Sequence, residues 1–390
     1  MDLHSTYPGI MDLKWRAKRR LPKFIWEYLD SGTGVEATKA RNRAALDRVG
    51  FMPSILHGPI EADLTTRFLD RNYPLPFGIA PIGMSGLIWP EAEPLLARAA
   101  AAEGLPYCLS TVASRSPEDL APHLGGHGWF QMYPPKNPDT RRDLLERARD
   151  AGFTTLVLTV DVPVASRRER QTRSGLTQPP KLTPRLLAQI ATRPVWAMGM
   201  ARQVMGGLGM PRMRTLDKYV QGQTNLPPTA HIGYILRTSP DSEYLRWLRD
   251  HWDGPLIVKG VLRSQDAAPL ERIGVDALWV SNHAGRQFDG APAAIDVLAG
   301  IRAATRLPLV FDSGIEGGLD VLRALSLGAD FVMLGRAFHF GLAALGARGP
   351  DHVIDILAQD MRANMGQLGA VDLAHLPTPF TMNSEPQRAL

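Results

Sequence analysis

Eight short apolar runs recur along the chain, separated by longer stretches in which apolar residues have a helical spacing. Most of the runs are rich in β-branched residues and lack alternating polar positions, as do strands that are buried on both faces. They are Phe77 to Pro81, Pro106 to Thr111, Trp129 to Tyr133, Thr155 to Asp161, Pro255 to Lys259, Ala277 to Asn282, Pro308 to Asp312 and Phe331 to Arg336. The pattern predicts eight parallel strands.

The stretches between these runs predict helices, several of which end at a glycine. The candidates are Glu91 to Glu103, Asp139 to Ala151, Asp241 to His251, Ser264 to Ile273, Ala293 to Thr305 and Gly318 to Leu327. Eight strand–helix units in about 260 residues predict an α/β fold, a single TIM (β/α)8 barrel. An open doubly wound sheet is the alternative, but no Gly-x-Gly-x-x-Gly follows a strand at a nucleotide-binding position.

Two segments depart from this regular alternation. Residues 21–34 predict a short N-terminal helix that is stopped by glycines. About ninety residues separate Asp161 from Pro255, far more than one crossover helix needs, so we expect a long insertion after strand 4. We assign residues 1–390 to one domain, with residues 170–230 as the inserted excursion.

Polar residues end nearly every predicted strand, and a barrel gathers these ends into one ring where barrel enzymes keep their chemistry. Strand 6 leads into Ser281-Asn282-His283-Ala284-Gly285-Arg286. His283 has a side chain that titrates near neutrality, and Arg286 can hold a carboxylate with two hydrogen bonds. A base beside an anion-binding group indicates proton abstraction next to a carboxylate. A polar turn with a solvated arginine is the simpler interpretation of this short segment alone.

The segment Ser281 to Gly290, Ser-Asn-His-x-Gly-Arg-Gln-x-Asp-Gly, resembles the signature of the FMN-dependent 2-hydroxy acid dehydrogenases and oxidases, the family of glycolate oxidase, lactate oxidase and mandelate dehydrogenase. The resemblance extends over nearly the whole chain, roughly Leu21 to Leu368. It implies oxidation of an L-2-hydroxy acid to the 2-oxo acid, with electrons passing from FMN to a quinone, another acceptor or O2. The alternative is an FMN barrel that acts on a phosphorylated or isoprenoid substrate.

The resemblance also implies the positions of FMN. The flavin would lie against the end of strand 1 and the phosphate on the ends of strands 7 and 8, while Lys259 would face the flavin N1 region, where reduction places negative charge. The cofactor-binding residues implied are Ala80, Pro81, Ile82, Ser110, Gln131, Thr159, Lys259, Ser281, Asp312, Ser313, Gly314, Gly335 and Arg336.

For the substrate, the resemblance implies that Arg168 and Arg286 bind the carboxylate and that Tyr28 and Tyr133 add hydroxyl groups. His283 would be the base and Asp161 would orient it. The predicted catalytic residues are therefore His283, Asp161, Lys259 and Tyr133. On charge alone, the neighbouring Arg167 or Arg170 could equally bind the carboxylate.

Three positions differ from the family pattern. Ala284 and Ser313 stand where glycine is usual, and Ser313 could offer a hydroxyl to the phosphate. Glu316 stands where an arginine is common. Because a carboxylate near a phosphate is unfavourable, either Glu316 points to solvent or FMN binds more weakly than is usual.

The formal net charge is +5, but the basic character belongs to one segment. Between Ala165 and Val220 there are eleven Lys or Arg residues and two acidic ones, together with five of the fourteen methionines and Trp196. Apolar, flexible and cationic residues together predict that residues 182–213 contact an anionic membrane surface. An active-site lid or a subunit contact is the alternative. Little aromatic interleaving argues against nucleic acid.

The remaining expectations concern compartment and assembly. The single cysteine, Cys108, lies in an apolar run and predicts a reducing compartment and a buried thiol. No export signal or membrane-spanning stretch is evident, so we expect a cytoplasmic protein, peripheral on the inner face of the cell membrane if the insertion binds it. We predict no metal site, and the resemblance implies a homotetramer. A membrane-associating protein with a vestigial site is disfavoured because His283, Arg286, Lys259 and Asp161 are all present.

Overall fold

A computed structural model describes residues 2–176, 183–220 and 237–382. Eight parallel strands, named here β1 to β8, form a closed barrel in chain order, with β8 paired to β1. They are β1 (Phe77–Ile79), β2 (Tyr107–Ser110), β3 (Gly128–Met132), β4 (Thr155–Thr159), β5 (Leu256–Val261), β6 (Ala277–Val280), β7 (Leu309–Phe311) and β8 (Phe331–Leu334). The predicted TIM barrel is confirmed, and each predicted strand overlaps an observed one. The last strand ends two residues before Arg336, because Arg336 begins a helix.

Alternate residues of the barrel strands point to opposite faces. The interior holds Cys108, Trp129, Trp279 and Met333, among other residues, and all of them are buried. The opposite face of each strand packs against the surrounding helices. Cys108 therefore fills space inside the barrel, as the sequence predicts for a buried thiol.

An antiparallel hairpin covers the amino-terminal end of the barrel. Its strands are Thr66–Phe68 and Arg71–Tyr73. Phe68 lies 5.1 Å from the ring of Phe331 and 5.9 Å from that of Trp129, and both partners belong to the first residues of barrel strands. The hairpin therefore closes one end and leaves the carboxyl ends of the strands for ligands.

Six observed helices match the six predicted between strands, each within a few residues. They are Ala92–Ala102, Pro138–Asp150, Ser242–His251, Ala267–Ile273, Ala294–Ala304 and Gly318–Ser326. The predicted N-terminal helix is Lys23–Asp30. Not predicted are Leu3–Thr6, Ile10–Arg20, Ala37–Asp47, Ser85–Ile88, Pro117–Leu120, Arg336–Leu345 and Gly349–Leu368, nor a short antiparallel pair of Val49–Gly50 with Phe380–Thr381.

The insertion between β4 and β5 contains the helices Glu169–Ser174, Pro184–Ala191, Pro194–Gln203 and Asp217–Val220 in the part of the chain that the structure describes. Residues 177–182 and 221–230 of the predicted excursion lie outside the described residues. The insertion docks on the barrel through Trp196, whose indole Nε1 donates to the carbonyl of Ile88 at 3.1 Å. That residues 1–390 form one domain, with 170–230 as its excursion, stays a prediction.

Candidate functional site

A cavity of about 460 Å³ opens at the carboxyl ends of the barrel strands. This volume is in the range of small-molecule sites. The residues predicted for the site that line it are Tyr28, Ala80, Pro81, Ile82, Tyr133, Arg168, Lys259, His283, Arg286, Asp312, Ser313, Gly314, Gly335 and Arg336. The fold therefore brings together side chains that are as much as 308 positions apart, from Tyr28 to Arg336.

His283 follows β6 and lines the cavity. Its Nδ1 lies 3.2 Å from both carboxylate oxygens of Asp161, which follows β4. Burial lowers the pKa of His283 more than the charge and hydrogen bond of Asp161 raise it. Because Asp161 favours the tautomer with the proton on Nδ1, Nε2 is the nitrogen that can accept a proton. The pair has the composition of an oriented general base.

Gly260 explains how Asp161 comes close to the barrel. It lies in β5 at an irregularity where the pairing with β6 shifts register between Lys259 and Val261. Its φ is +109°, and a Cβ there would lie 2.5 Å from the Cβ of Asp161. Only glycine has both this backbone freedom and this clearance. Gly260 could not be identified from the sequence, since a single glycine inside a strand pattern gives only a weak signal of a bulge.

Arg286 and Arg168 both line the cavity, so two positive charges face the same space. Burial and the nearby charge of Arg168 lower the pKa of Arg286 to about 9. Among the described residues no carboxylate lies within ion-pair distance of either guanidinium. Two such cations without an acidic partner favour binding of an anion from outside.

The two neighbouring arginines differ in their surroundings. Arg170 forms ion pairs with Glu27, Asp30 (2.5 Å) and Glu36 (3.0 Å). Arg167 lines the cavity, but its side chain is 87% exposed and lies 3.8 Å from Glu169. The ion pairs disfavour Arg170, and Arg168 as the second carboxylate ligand stays a prediction.

Two tyrosines lie at the same cavity. The hydroxyl of Tyr28 donates to the carbonyl of Gly83 at 2.7 Å, and the guanidinium of Arg286 lies 5.4 Å from its ring centre. The guanidinium of Arg237 lies 5.6 Å from the ring centre of Tyr133. Arg237 also lines the cavity and was not identified from the sequence, because it adjoins the long insertion and belongs to no strand end.

Lys259, the last inward-facing residue of β5, lies next to Asp312 at the end of β7. Its ammonium also lies 2.8 Å from the hydroxyl of Ser281 and 4.3 Å from the ring centre of Trp279. Burial raises the pKa of Asp312, but the charge and hydrogen bond of Lys259, together with the neighbouring serine hydroxyls, lower it below its usual value. A buried ammonium at this position can stabilise negative charge that develops beside it.

Ser110, Gln131 and Thr159 end three neighbouring strands and form one buried chain of hydrogen bonds. The Ser110 hydroxyl donates to Gln131 Oε1 at 2.8 Å, and Gln131 Nε2 donates to Thr159 Oγ1 at 3.0 Å. The structure brings the three together, but they are not among the residues that line the cavity. Their contact with the polar edge of a flavin stays a prediction.

The predicted phosphate site lies where β7 and β8 end. Arg336 is the first residue of the helix Arg336–Leu345, whose first N–H groups have no partner within the helix. Gly314 has a φ of +99°, and at Gly335 a Cβ would lie 3.0 Å from the Ile82 side chain. Glycine amides, a helix start and a nearby cation are the groups that bind phosphate in barrels. The residues present therefore fit the phosphate of FMN.

Glu316 also lines the cavity, where the sequence analysis left two interpretations open. Its carboxylate accepts from the ammonium of Lys14 at 2.8 Å, and its side chain is 32% exposed. Lys14 belongs to the unpredicted helix Ile10–Arg20 and lines the same cavity. The pair is neutral as a whole, which weakens the repulsion that Glu316 alone would exert on a phosphate.

Asn42 and Asn282 hold the segment that follows β6 and were not assigned a role from the sequence. Each side-chain amide donates to the carbonyl oxygen of the other, at 2.7 and 2.8 Å. Asn282 Oδ1 also accepts from the N–H of Gly285 at 3.3 Å. Asn42 comes from the helix Ala37–Asp47, so the N-terminal segment helps to hold His283. Such a pairing across 240 positions leaves no local sequence signal.

Known proteins are similar to this chain over nearly its whole length. The chain is 38% identical over 371 residues to an L-lactate dehydrogenase of Pseudomonas aeruginosa, covering 94% of this chain and 95% of that protein. An L-lactate dehydrogenase of Vibrio cholerae is also 38% identical, over 94% of this chain and 96% of its own length.

Solved structures with a similar fold include related enzymes. The fold is similar to that of a protein described as a monotopic membrane protein, (S)-mandelate dehydrogenase, with a TM-score of 0.87 and 33% identity over 96% of this chain and 99% of that one. A lactate oxidase of Pediococcus acidilactici has a TM-score of 0.82 and 28% identity, over 97% and 95%. The model of the FMN-dependent dehydrogenase family matches residues 17–382. With a closed barrel, a family model that covers most of its length and relatives that are 38% identical, the chain belongs to the FMN-dependent dehydrogenases, and its cofactor is FMN.

Proposed function

We propose that the protein oxidises an L-2-hydroxy acid of the lactate or mandelate kind to the 2-oxo acid. The observation that carries this proposal is the presence of the His283–Asp161 pair in one cavity with the guanidinium groups of Arg286 and Arg168. A 2-hydroxy acid offers both groups that these residues bind, a carboxylate and a carbon-bound hydroxyl.

The roles of the side chains follow from their surroundings. Arg286 and Arg168 bind the substrate carboxylate, with Tyr28 and Tyr133 beside it. His283 then takes the hydroxyl or the α proton, and Asp161 stabilises the imidazolium that forms. FMN, when bound, supplies the redox chemistry as acceptor of the electrons that leave the substrate. Lys259 stabilises negative charge next to the cavity.

The test is the visible spectrum of the purified protein under anaerobic conditions, before and after addition of L-lactate and then L-mandelate. We expect the oxidised flavin band to disappear with at least one acid, and the two rates to rank the substrates. A yellow protein that neither acid bleaches would contradict the proposal and favour the phosphorylated or isoprenoid substrate, which the relatives do not favour. A colourless protein that FMN cannot reconstitute would contradict the assigned cofactor residues.

We further propose that the insertion brings the enzyme to an anionic membrane surface, where a quinone accepts the electrons. On its outer side the insertion exposes Leu187, Val195, Met198, Val204, Met205, Leu208 and Met210, next to the exposed basic residues Arg185 and Arg202. Apolar side chains bordered by cations are typical of helices that lie on anionic bilayers.

Some residues of the predicted membrane-contact segment are buried. Trp196, Met200 and Met213 are covered by other parts of the protein, so they do not belong to the contact surface. Trp15, which is 58% exposed, extends the surface, because it borders the same groove as Val195. Within the described ranges no helix is long and apolar enough to cross a bilayer.

Vesicle sedimentation tests this contact. We expect the protein to pellet with vesicles that contain anionic lipid, and Met205→Glu to weaken pelleting severalfold because it places a carboxylate at a side chain that is 78% exposed. Ile55→Glu is the matched control, since Ile55 is 79% exposed but lies outside the insertion. Equal pelleting of the two variants would contradict the membrane contact. Slow return of flavin colour in air, with fast return on adding a quinone, would support the acceptor.

The assembly and compartment remain proposals as well. We propose a homotetramer in the cytoplasm, peripheral on the inner face of the cell membrane. The membrane part rests on the exposed apolar and basic residues of the insertion, and the tetramer rests on the family resemblance alone. Light scattering of the purified protein measures the subunit number directly.

A further inference from the structure

The backbone that carries the base has an unusual conformation. His283 and Ala284 have φ values of +55° and +53°, and Gly285 follows with +72°. Left-handed backbone is unfavourable for residues with a Cβ, and two such residues in succession are uncommon. Something outside this turn must therefore stabilise it, because His283 works as a base only if its ring stays next to Asp161.

Two serine hydroxyls hold the N–H groups of these successive residues. The N–H of His283 donates to Ser281 Oγ at 3.0 Å, and the N–H of Ala284 donates to Ser313 Oγ at 3.1 Å. Ser313 Oγ also accepts from the N–H of Asn282 at 3.4 Å. Ser281 precedes the turn, whereas Ser313 comes from the end of the next strand, β7.

Both hydroxyls are also connected to the Lys259–Asp312 pair. The Ser313 hydroxyl donates to Asp312 Oδ1 at 2.7 Å. Lys259 contacts both Asp312 and Ser281 Oγ. A hydroxyl has one donor and two acceptor positions, so the hydrogen-bonding capacity of Ser313 is fully used inside the protein.

The backbone of Ser313 supports this interpretation. Its φ is +90°, a conformation that glycine adopts more easily than serine. Glycine would relieve that strain but could not bind Ala284 and Asp312. The hydroxyl group therefore accounts for a serine at a position where the backbone favours glycine.

We propose that Ser313 is a positioning residue, which together with Ser281 holds the left-handed backbone of His283 and Ala284 and connects it to the Lys259–Asp312 pair. Its side chain is then not a ligand of the cofactor phosphate. The proposal rests on the proposed function only in so far as His283 is the base.

The test compares Ser313→Ala, Ser313→Gly and the double variants with Ala284→Gly. We expect Ser313→Ala to slow flavin reduction by the hydroxy acid about tenfold, the effect of losing one or two hydrogen bonds that hold the reactive geometry. Ser313→Gly should show a similar loss, which covers the case that alanine at this φ impairs folding. Because glycine adopts the left-handed conformation without strain, Ala284→Gly should restore a measurable part of the rate in either background.

Two further measurements separate this role from other ones. Hydrogen exchange of the Ala284 amide, measured on the holoprotein without substrate, should become at least about tenfold faster in Ser313→Ala. FMN affinity, followed by flavin fluorescence, should change less than about twofold, since the hydroxyl has no capacity left for the phosphate. The exchange result stands whether or not a hydroxy acid reduces the flavin.

Three outcomes would overturn the proposal. Unchanged exchange at Ala284 in Ser313→Ala would remove the hydrogen bond from any role in holding the turn. Weaker FMN binding with an unchanged rate per bound flavin would make Ser313 a phosphate ligand instead. Effects of Ser313→Ala and Ala284→Gly that simply add would show that the two residues act independently.

Discussion

At the scale of single residues, the environment of His283 determines the pH at which the site can work. Burial, with help from Lys259 and Arg168, lowers its pKa below the usual value of about 6.5, and Asp161 only partly compensates. A base has to be neutral before it can accept a proton. At neutral pH the imidazole is therefore already in its active form.

We expect flavin reduction per enzyme to rise with pH, with the midpoint of the rise below about pH 6.5, the usual histidine pKa. Asp161→Asn removes the group that raises the pKa of His283, so it should move this limb to lower pH and also slow the reaction. The free energy of unfolding changes with pH in the same direction as the rate. Between the folded pKa and about 6.5 the unfolded chain binds more protons, so the free energy of unfolding falls as the pH is lowered through this range.

A pH profile of kcat/KM for the wild type and Asp161→Asn measures this effect. His283→Ala is the control: flavin should stay bound but should no longer be reduced by substrate. A wild-type limb centred clearly above pH 6.5 would contradict the lowered pKa, and normal reduction in His283→Ala would remove His283 from the base role.

Arg286 tests the carboxylate site at the same scale. Burial and the nearby charge of Arg168 lower its pKa to about 9, and a bound carboxylate would counteract this lowering. We expect Arg286→Lys to lower kcat/KM by about 10- to 100-fold, because lysine cannot form the planar pair of hydrogen bonds. Arg67→Lys is the control, at a side chain that is 72% exposed. Unchanged kcat and KM in Arg286→Lys would contradict the site.

The sequence could predict the residue types of the site but not all of their contacts. The motif from Ser281 to Gly290 and the family resemblance identified His283 and Arg286. The resemblance also implied Arg168, but charge alone could not separate it from Arg170, because the acidic partners of Arg170 lie more than 130 positions away. The pairing of Glu316 with Lys14 likewise depends on a helix whose pattern gave no prediction.

At the scale of elements, the irregularity in β5 places Asp161 beside the base. We expect Gly260→Ala to destabilise the protein by about 1–3 kcal/mol, because the added Cβ meets Asp161 and the φ of +109° becomes strained. The displaced carboxylate should also slow flavin reduction about tenfold, a loss equivalent to roughly one charged hydrogen bond.

Chemical denaturation and stopped-flow reduction measure the two effects. Gly300→Ala is the matched control, because Gly300 lies in the helix Ala294–Ala304 with open space at the Cβ position. Alanine there should be neutral or stabilise by up to about 1 kcal/mol. If Gly260→Ala behaves like Gly300→Ala, the irregularity has no part in placing Asp161.

Helices could be predicted from the sequence where one face is buried and the other is polar. The helix Pro138–Asp150 has a clear polar face, and its period predicted it within one residue. The helices Arg336–Leu345 and Gly349–Leu368 were not predicted, and the first of them has a physical reason. The first is buried almost all round and so has no polar face to reveal a helical period, as is typical of helices in the centre of a large core.

At the scale of the whole molecule, the alternation of strands and helices was enough to predict the barrel, because parallel strands need a crossover each time. The same pattern could not predict how the chain ends are used. The hairpin Thr66–Phe68 with Arg71–Tyr73 closes one end of the barrel, and the helices before it hold the site at the other. These contacts join segments far apart in sequence, so no local pattern encodes them.

The buried thiol of Cys108 has a practical consequence. It is the single cysteine of the chain, it is 1% exposed inside the barrel, and burial raises its pKa. A thiol reagent can therefore react only with molecules whose barrel has opened, since the thiolate is the reactive form. We expect labelling to be slow in native buffer and to follow the unfolding equilibrium when reaction is slower than reclosing. The labelling rate of this one sulfur atom therefore reports the opening of the entire barrel. Mass spectrometry can measure it without any engineered probe.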